Sequence, residues 1–261
     1  MKTVVLTGAS MGIGRALAVA WAARGAKLVL SARSENALHE VAKDVVNAGG
    51  KAIVVPGDVT DEKYRLELIR RANEEAGGID VLVNNAGRGF YAPALQIDVD
   101  RMREMFELNV FAPLRLVQLA APALAESRGT VVMMSSVAGI VAAPRYAAYA
   151  ASKFALEAIS MSMRAELAER GVRVVVIRPG PVDTPFRSNA TKAEGVPGYD
   201  KPDPRAQSAG AVAALTLRAV ERGAPVVETS AFVRVASAAS RLAPGPLRLV
   251  MRRMATKHPE G

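Results

Sequence analysis

The chain has 261 residues, half of them apolar, with 34 lysines and arginines against 25 acids, a formal net charge of +9. That length carries one substantial core and suits an α/β domain. The absence of cysteine excludes disulfides, thiolate metal sites and cysteine nucleophiles, and two histidines far apart, His39 and His258, argue against a histidine triad or metal cluster.

Taken in chain order, short β-branched runs alternate with longer helical patterns. Strands are predicted at 2–7, 26–31, 52–56, 80–84, 130–135, 173–178 and 224–229. Helices are predicted at 13–24, 35–48, 61–76, 98–126, 149–170 and 205–222. Runs such as "VRVVVI" (172–177) are apolar at nearly every position, the mark of a parallel strand buried on both faces. The alternation predicts a Rossmann-like doubly wound parallel sheet of about seven strands with helices on both faces. Gly25, Gly50, Gly77, Gly78, Gly129, Gly171 and Gly223 fall at helix ends, where a left-handed cap residue is expected.

The first strand follows Lys2 directly, leaving no room for a leader peptide, and no uninterrupted apolar run reaches about 18 residues. A cytoplasmic protein is expected, with contact at a membrane surface left open. Residues 1–230 read as one catalytic domain. Within it, 180–204 is a Pro-, Gly- and polar-rich loop too long for a plain connection. Residues 231–261 form a basic extension. In it Leu247, Val250, Met251 and Met254 recur at i, i+3, i+4, i+7, with Arg248, Arg252, Arg253 and Lys257 on other faces. This short amphipathic helix suits docking on an anionic membrane through 240–257, packing over the chain's own pocket, or contact with another subunit. No aromatic-basic interleaving points to nucleic acid.

The motifs also follow in order. "TGASMGIG" (7–14) joins the first strand to the first helix. Its glycines, Gly8, Gly12 and Gly14, permit a tight turn that brings backbone N–H groups to a pyrophosphate at the helix N-terminus. About 20 residues on, dinucleotide folds usually place an acid that holds the adenosine ribose. Here that place reads Ala32-Arg33-Ser34. Further on come "GDVT" (57–60), "NNAG" (84–87), "ELNV" (107–110), "MSSVAG" (134–139), "YAASK" (149–153) and "RPGPVDT" (178–184).

With these strings in this order over roughly residues 2–187, the chain resembles the short-chain dehydrogenase/reductase family in its compact form. The resemblance implies hydride transfer between a nicotinamide cofactor and an alcohol or carbonyl carbon. Tyr149 is then the acid/base. Lys153, one helical turn on, lowers the phenol's pKa and holds the nicotinamide ribose. Ser136, thirteen residues before Tyr149, holds the carbonyl oxygen, with Ser135 on the opposite face of the strand. Asn109 holds a water that relays protons to the lysine.

The cofactor would be held by Gly8, Ser10, Met11, Gly12, Ile13 and Gly14 at the first turn. Asp58 and Val59 would lie against adenine, and Asn85, Ala86 and Gly87 on the adenosine side. Pro179, Gly180, Val182 and Thr184 would lie near the nicotinamide. With Ala32 removing the acid, Arg33 can fork onto a 2′-phosphate and Ser34 can add a hydroxyl, so NADP(H) is favoured over NAD(H). Met11 stands where many NADP-using relatives carry a second basic residue.

Phe90, Tyr91, Val137, Ala138, Pro144, Arg145, Tyr146, Phe186 and the 184–204 loop are expected to face the substrate. Their apolar character suggests a lipophilic carbonyl or alcohol. The family implies a homodimer or homotetramer through the 98–126 and 149–170 helices. The expected activity is NADPH-dependent ketone reduction. The other readings are a non-catalytic NADP(H) sensor and a membrane-surface lipid-ketone reductase.

Overall fold

The computed structural model describes residues 1–193 and 203–256. Seven parallel strands run through it: β1 Thr3–Thr7, β2 Lys27–Ala32, β3 Lys51–Pro56, β4 Val81–Asn84, β5 Thr130–Met134, β6 Arg173–Arg178 and β7 Val226–Glu228. Their order across the sheet is β3-β2-β1-β4-β5-β6-β7, so the winding reverses between β1 and β4. Loops leaving β1 and β4 diverge there, which opens a crevice at the strands' carboxyl ends.

The period-2 alternation of the strands decides which helices cover which face. Val4, Leu6, Leu28 and Leu30 pack with Leu17 and Trp21 of α1 (Gly12–Ala22), Leu38 and Val41 of α2 (Glu35–Asn47) and Val212 of α7 (Ala209–Arg222). Val5, Val29, Leu82, Val131 and Met133 point the other way. They meet Leu68 of α3 (Glu62–Ala76), Leu116 of α5 (Ala112–Glu126) and Leu156 of α6 (Ala147–Ala168). Each such side chain, fully removed from water, stabilises the sheet by about 1.5–3 kcal/mol.

Three local expectations change. The 98–126 helix is broken into α4 (Val99–Phe106), a π turn over Glu107–Phe111, and α5. Pro113 has no N–H to donate to the Asn109 carbonyl four residues back, so one rung of the α ladder is missing there. Gly50 and Gly129 do not take the left-handed conformation; Gly49 (φ 91°) and Arg128 (φ 48°) do. Gly50 and Gly129 serve close packing instead. A Cβ on Gly50 would lie 2.8 Å from the Ala22 Cβ, and one on Gly129 2.6 Å from the Asp80 carbonyl. Finally, the segment after β6 pairs in short ladders, Val182–Asp183 with Gln207–Ser208 and Thr191–Lys192 with Phe90–Tyr91.

One helical stretch among the described residues, Val99–Glu126, is long and apolar enough to cross a membrane, where none was expected. Its apolar side chains Leu116, Val117, Ala120 and Leu124 lie in the core against the sheet. The extension after β7 forms α8 (Ala231–Leu242) and α9 (Pro244–Thr256), the latter carrying the expected amphipathic stripe.

Candidate active site

The glycine turn after β1 is built for close approach. Gly8 and Gly12 hold left-handed φ values of 63° and 55°. A Cβ on Gly14 would fall 2.0 Å from the Gly8 carbonyl oxygen. Thr7 Oγ1 accepts from the backbone N–H groups of Asn85 and Ala86, both at 3.1 Å, and Asn85 Nδ2 donates to the carbonyls of Thr7 (3.0 Å) and Gly8 (3.1 Å). Asn85, expected on the adenosine side, therefore commits its amide to buckling the end of β4 onto this turn. Met11 is the N-cap of α1 and its side chain caps nothing, so the first helical N–H groups remain for an anion.

A cavity of about 1270 Å³ opens over the turn, lined there by Gly8, Ser10, Met11, Gly12, Ile13 and Gly14. Asp58, Val59, Asn85, Ala86 and Gly87 continue the lining, as do Pro179, Gly180, Val182 and Thr184. A Cβ on Gly12 would sit 3.1 Å from Thr184 Cγ2, so the loop after β6 closes directly on the glycine turn. Asp58 Oδ1 accepts from Thr60 N and Oγ1, at 2.9 and 2.8 Å. Ala32, Arg33 and Ser34 line the same cavity beyond β2. Arg33 is exposed there and makes no hydrogen bond or ion pair among the described residues. Ser34 is the N-cap of α2 and accepts from Ala37 N at 3.4 Å, which leaves its own O–H to donate elsewhere. Bare N–H groups, a turn with glycines at its closest approaches and an unpaired cation fit a nicotinamide dinucleotide.

Tyr149 and Lys153 lie on one face of α6, both buried. Burial pushes the Tyr149 phenol up to about 12, and its hydrogen bond with Ser136 pulls the other way. Burial likewise lowers the Lys153 ammonium to about 8. Lys153 Nζ donates to the Met134 carbonyl at 2.9 Å and stands 5.8 Å from the centre of the Tyr149 ring. In the chain by itself burial sets the direction at Tyr149; the lowering is expected from Lys153 together with the nicotinamide's positive charge. Desolvation, which penalises both charged forms, outweighs an ammonium directed at a backbone carbonyl.

Ser136 Oγ also accepts from Ala138 N at 3.1 Å. Ser135 Oγ is buried without a partner, 2.7 Å from where a Cβ on Gly139 would stand. Asn109 sits just behind the cavity wall. Its Oδ1 accepts from Arg88 N at 2.9 Å, and its Nδ2 donates to the Arg88 carbonyl (2.9 Å) and to Ser152 Oγ (3.1 Å). A Cβ on Gly87 would be 3.1 Å from Asn109 Oδ1 and 3.6 Å from Lys153 Nζ, so the two side chains converge behind that glycine.

On the substrate side, Tyr91, Val137, Ala138, Pro144, Arg145, Tyr146 and Phe186 line the cavity. The Phe186 ring centre is 5.7 Å from that of Tyr149, and Tyr91 stacks obliquely on Tyr146 at 4.8 Å. Phe90 does not line it. Strand alternation turns its ring away into a small core with Met105 and Ala148. Within the expected substrate loop, Asp203 accepts from Arg205 Nε (3.0 Å) and Arg187 (3.3 Å) and is held by them down at about 2, a clasp with Arg205 that no motif announced. The Arg205 guanidinium lies 4.7 Å over the Phe232 ring, which joins this clasp to α8. Phe232, Val235 and Ala239 of α8 and Leu247, Val250, Met251 and Met254 of α9 complete the far wall. The tail thus covers the chain's own cavity, one of the three roles left open. The 194–202 part of the expected substrate loop, and Lys257 and His258, lie outside the described residues.

Comparison with known proteins agrees with this geometry. The family model described as short chain dehydrogenase matches residues 2–195. Dehydrogenase/reductase SDR family member 7B of Mus musculus is 34% identical over 262 residues, 97% of this chain and 81% of that one. Glycine betaine reductase ATRR of Emericella nidulans is 36% identical over 202 residues, 77% of this chain, which spans only 16% of that longer protein. An alcohol dehydrogenase from Thermococcus sibiricus, solved with 5-hydroxy-NADP, superposes with a TM-score of 0.77 at 28% identity, covering 87% of this chain and 94% of that one.

Proposed function

The chain belongs to the short-chain dehydrogenase/reductase family, and from that premise we propose that it is an NADP(H)-dependent reductase converting a lipophilic ketone to a secondary alcohol. One observation carries the reading. A single cavity is lined by the unpaired Arg33, by the Tyr149 phenol and by the apolar side chains of α8 and α9.

A bound nicotinamide supplies the hydride, and the chain supplies the proton and the geometry. Arg33 forks onto the 2′-phosphate with Ser34 adding a hydroxyl, and Ala32 offers no acid to repel it. The NADP derivative in the Thermococcus sibiricus structure supports this preference. The Ser136 hydroxyl donates to the substrate's carbonyl oxygen, and Tyr149 Oη gives that oxygen its proton. The protonated phenol is the acid that the reducing direction needs. The Lys153 ammonium stabilises the phenolate left behind. The Asn109 carbonyl, which Pro113 cannot serve as an α-helical donor, would hold a water that returns a proton through Lys153. The apolar side chains of α8 and α9 favour a substrate with little polarity beyond its carbonyl. Exposed Phe111, Phe154 and Met161 on the π turn and α6 support assembly into a homo-oligomer through these helices.

The test follows NADPH consumption over a panel of ketones of increasing apolar size, with NADH in parallel. Tyr149→Phe is expected to cut turnover by about 10²–10⁴-fold while NADPH still binds. Turnover that survives this change refutes the reading.

A further inference from the structure

We propose that α8 and α9 form a docking face for an anionic lipid bilayer, and that the cavity opens onto it so that substrate enters from the lipid side. The entry route rests on the cavity being the substrate site; the docking does not.

Charge is the first argument. From Thr229 to Thr256 the chain carries Arg234, Arg241, Arg248, Arg252 and Arg253 and no acid. Exposure is the second. Of the fifteen large apolar side chains exposed among the described residues, six belong to these two helices: Phe232, Val235, Leu242, Leu249, Val250 and Met254. Leu242 is 85% and Val235 68% exposed. Position is the third. Phe232, Val235, Val250 and Met254 belong to both sets, exposed to solvent and lining the cavity, so the exposed apolar face is also the cavity's rim.

The composition selects the occupant. A second copy meeting this face about a two-fold axis would set five arginines against five. Nucleic acid would pair with the arginines and leave six apolar side chains unmatched. A bilayer with anionic headgroups satisfies both: the leucines and valines reach the acyl boundary, and the arginines extend their stems back to the phosphates. A substrate dissolved in that boundary then reaches the cavity without crossing water.

The experiment is co-sedimentation of the whole protein with vesicles of phosphatidylcholine alone and of phosphatidylcholine containing phosphatidylglycerol. Binding is expected to the second and to be at least tenfold weaker to the first. It should also weaken as salt rises, because the screening length contracts. Arg248→Glu with Arg252→Glu should reduce binding on the order of 25-fold or more, since each arginine near such a surface contributes about fivefold. Leu242→Glu with Leu249→Glu, at positions outside the cavity lining, should lower binding at least tenfold and leave reduction of a water-soluble ketone unchanged.

Equal binding to both vesicles, no binding to either, or binding indifferent to both variant pairs overturns the proposal. So does a wild type that sediments as a larger oligomer than the leucine variant without binding vesicles, which would assign the face to a second copy. A chain that binds anionic vesicles as expected but reduces no ketone overturns the reductase reading and leaves the docking face standing.

Discussion

Replacing Arg33 by alanine strikes the cofactor reading at its narrowest support. Arg33 lines the cavity where β2 gives way to α2, exposed, and no carboxylate neutralises it among the described residues. A cation at this place lies beside the positive end of α2, an unfavourable position until an anion arrives. A hydrogen bond to a charged group contributes about 1.5–3 kcal/mol, and screening at an exposed rim favours the lower half of that range. Loss of about 1.5–2 kcal/mol weakens NADPH binding roughly 10- to 30-fold. NADH offers only a neutral hydroxyl, so its affinity should change by no more than about threefold. Titrating both cofactors by fluorescence against the wild type and Arg33→Ala, at about 0.05 and 0.2 M salt, separates the two effects. Salt should erode the NADPH preference of the wild type and hardly affect the variant. Equal loss for the two cofactors, or no loss for either, refutes the reasoning. Ala32→Asp is the reciprocal change: it should favour NADH, because a carboxylate accepts from the ribose hydroxyls and repels the phosphate.

Gly14→Ala places a Cβ 2.0 Å from the Gly8 carbonyl, so the turn must open; cofactor titration should show binding lost while far-UV circular dichroism shows the helices retained. Glu157→Gln weakens the bidentate partner of Arg178, whose two contacts at 2.9 and 2.8 Å are buried. With Glu228 still 3.3 Å away, urea unfolding should show a loss of about 2–4 kcal/mol. Lys153 carries a pH signature in the cofactor-free protein. Its ammonium is held at about 8 in the fold against an ordinary 10.5, so between these values the unfolded chain binds the extra proton. Stability contributed by this group therefore rises with pH through that window. Relative to Lys153→Met, the wild type should gain in urea midpoint between about pH 7.5 and 10; a relative loss would contradict the assignment.

Much of the fold and site was legible as short-range pattern. Apolar runs such as Val172–Ile177 specify a strand buried on both faces, because no other packing hides them. The spacing Tyr149 to Lys153 puts both on one helix face, since four residues are close to one turn. Gly8, Gly12 and Gly14 announce a turn no side chain can enter. One signal was present and passed over. Pro113, four residues after Asn109, removes a donor from an unbroken helix over 98–126 at the place where the π turn stands, whereas Pro122 is accommodated within α5.

What the linear order could not decide depends on groups brought together from far along the chain. Asn85 commits its amide to Thr7 and Gly8, more than seventy residues earlier. Gly50 is required by Ala22, and Gly129 by Asp80. The burial that pushes the Tyr149 phenol up in the chain by itself is a sum of desolvation over every element around it. The amphipathic stripe of α9 was readable from its period. That it forms a wall of the cavity, with its rim in the same apolar face, was decided only when the strands, loops and tail closed on one another. Periodicity tells a helix which of its sides is apolar; only tertiary packing supplies the surface that this side will meet.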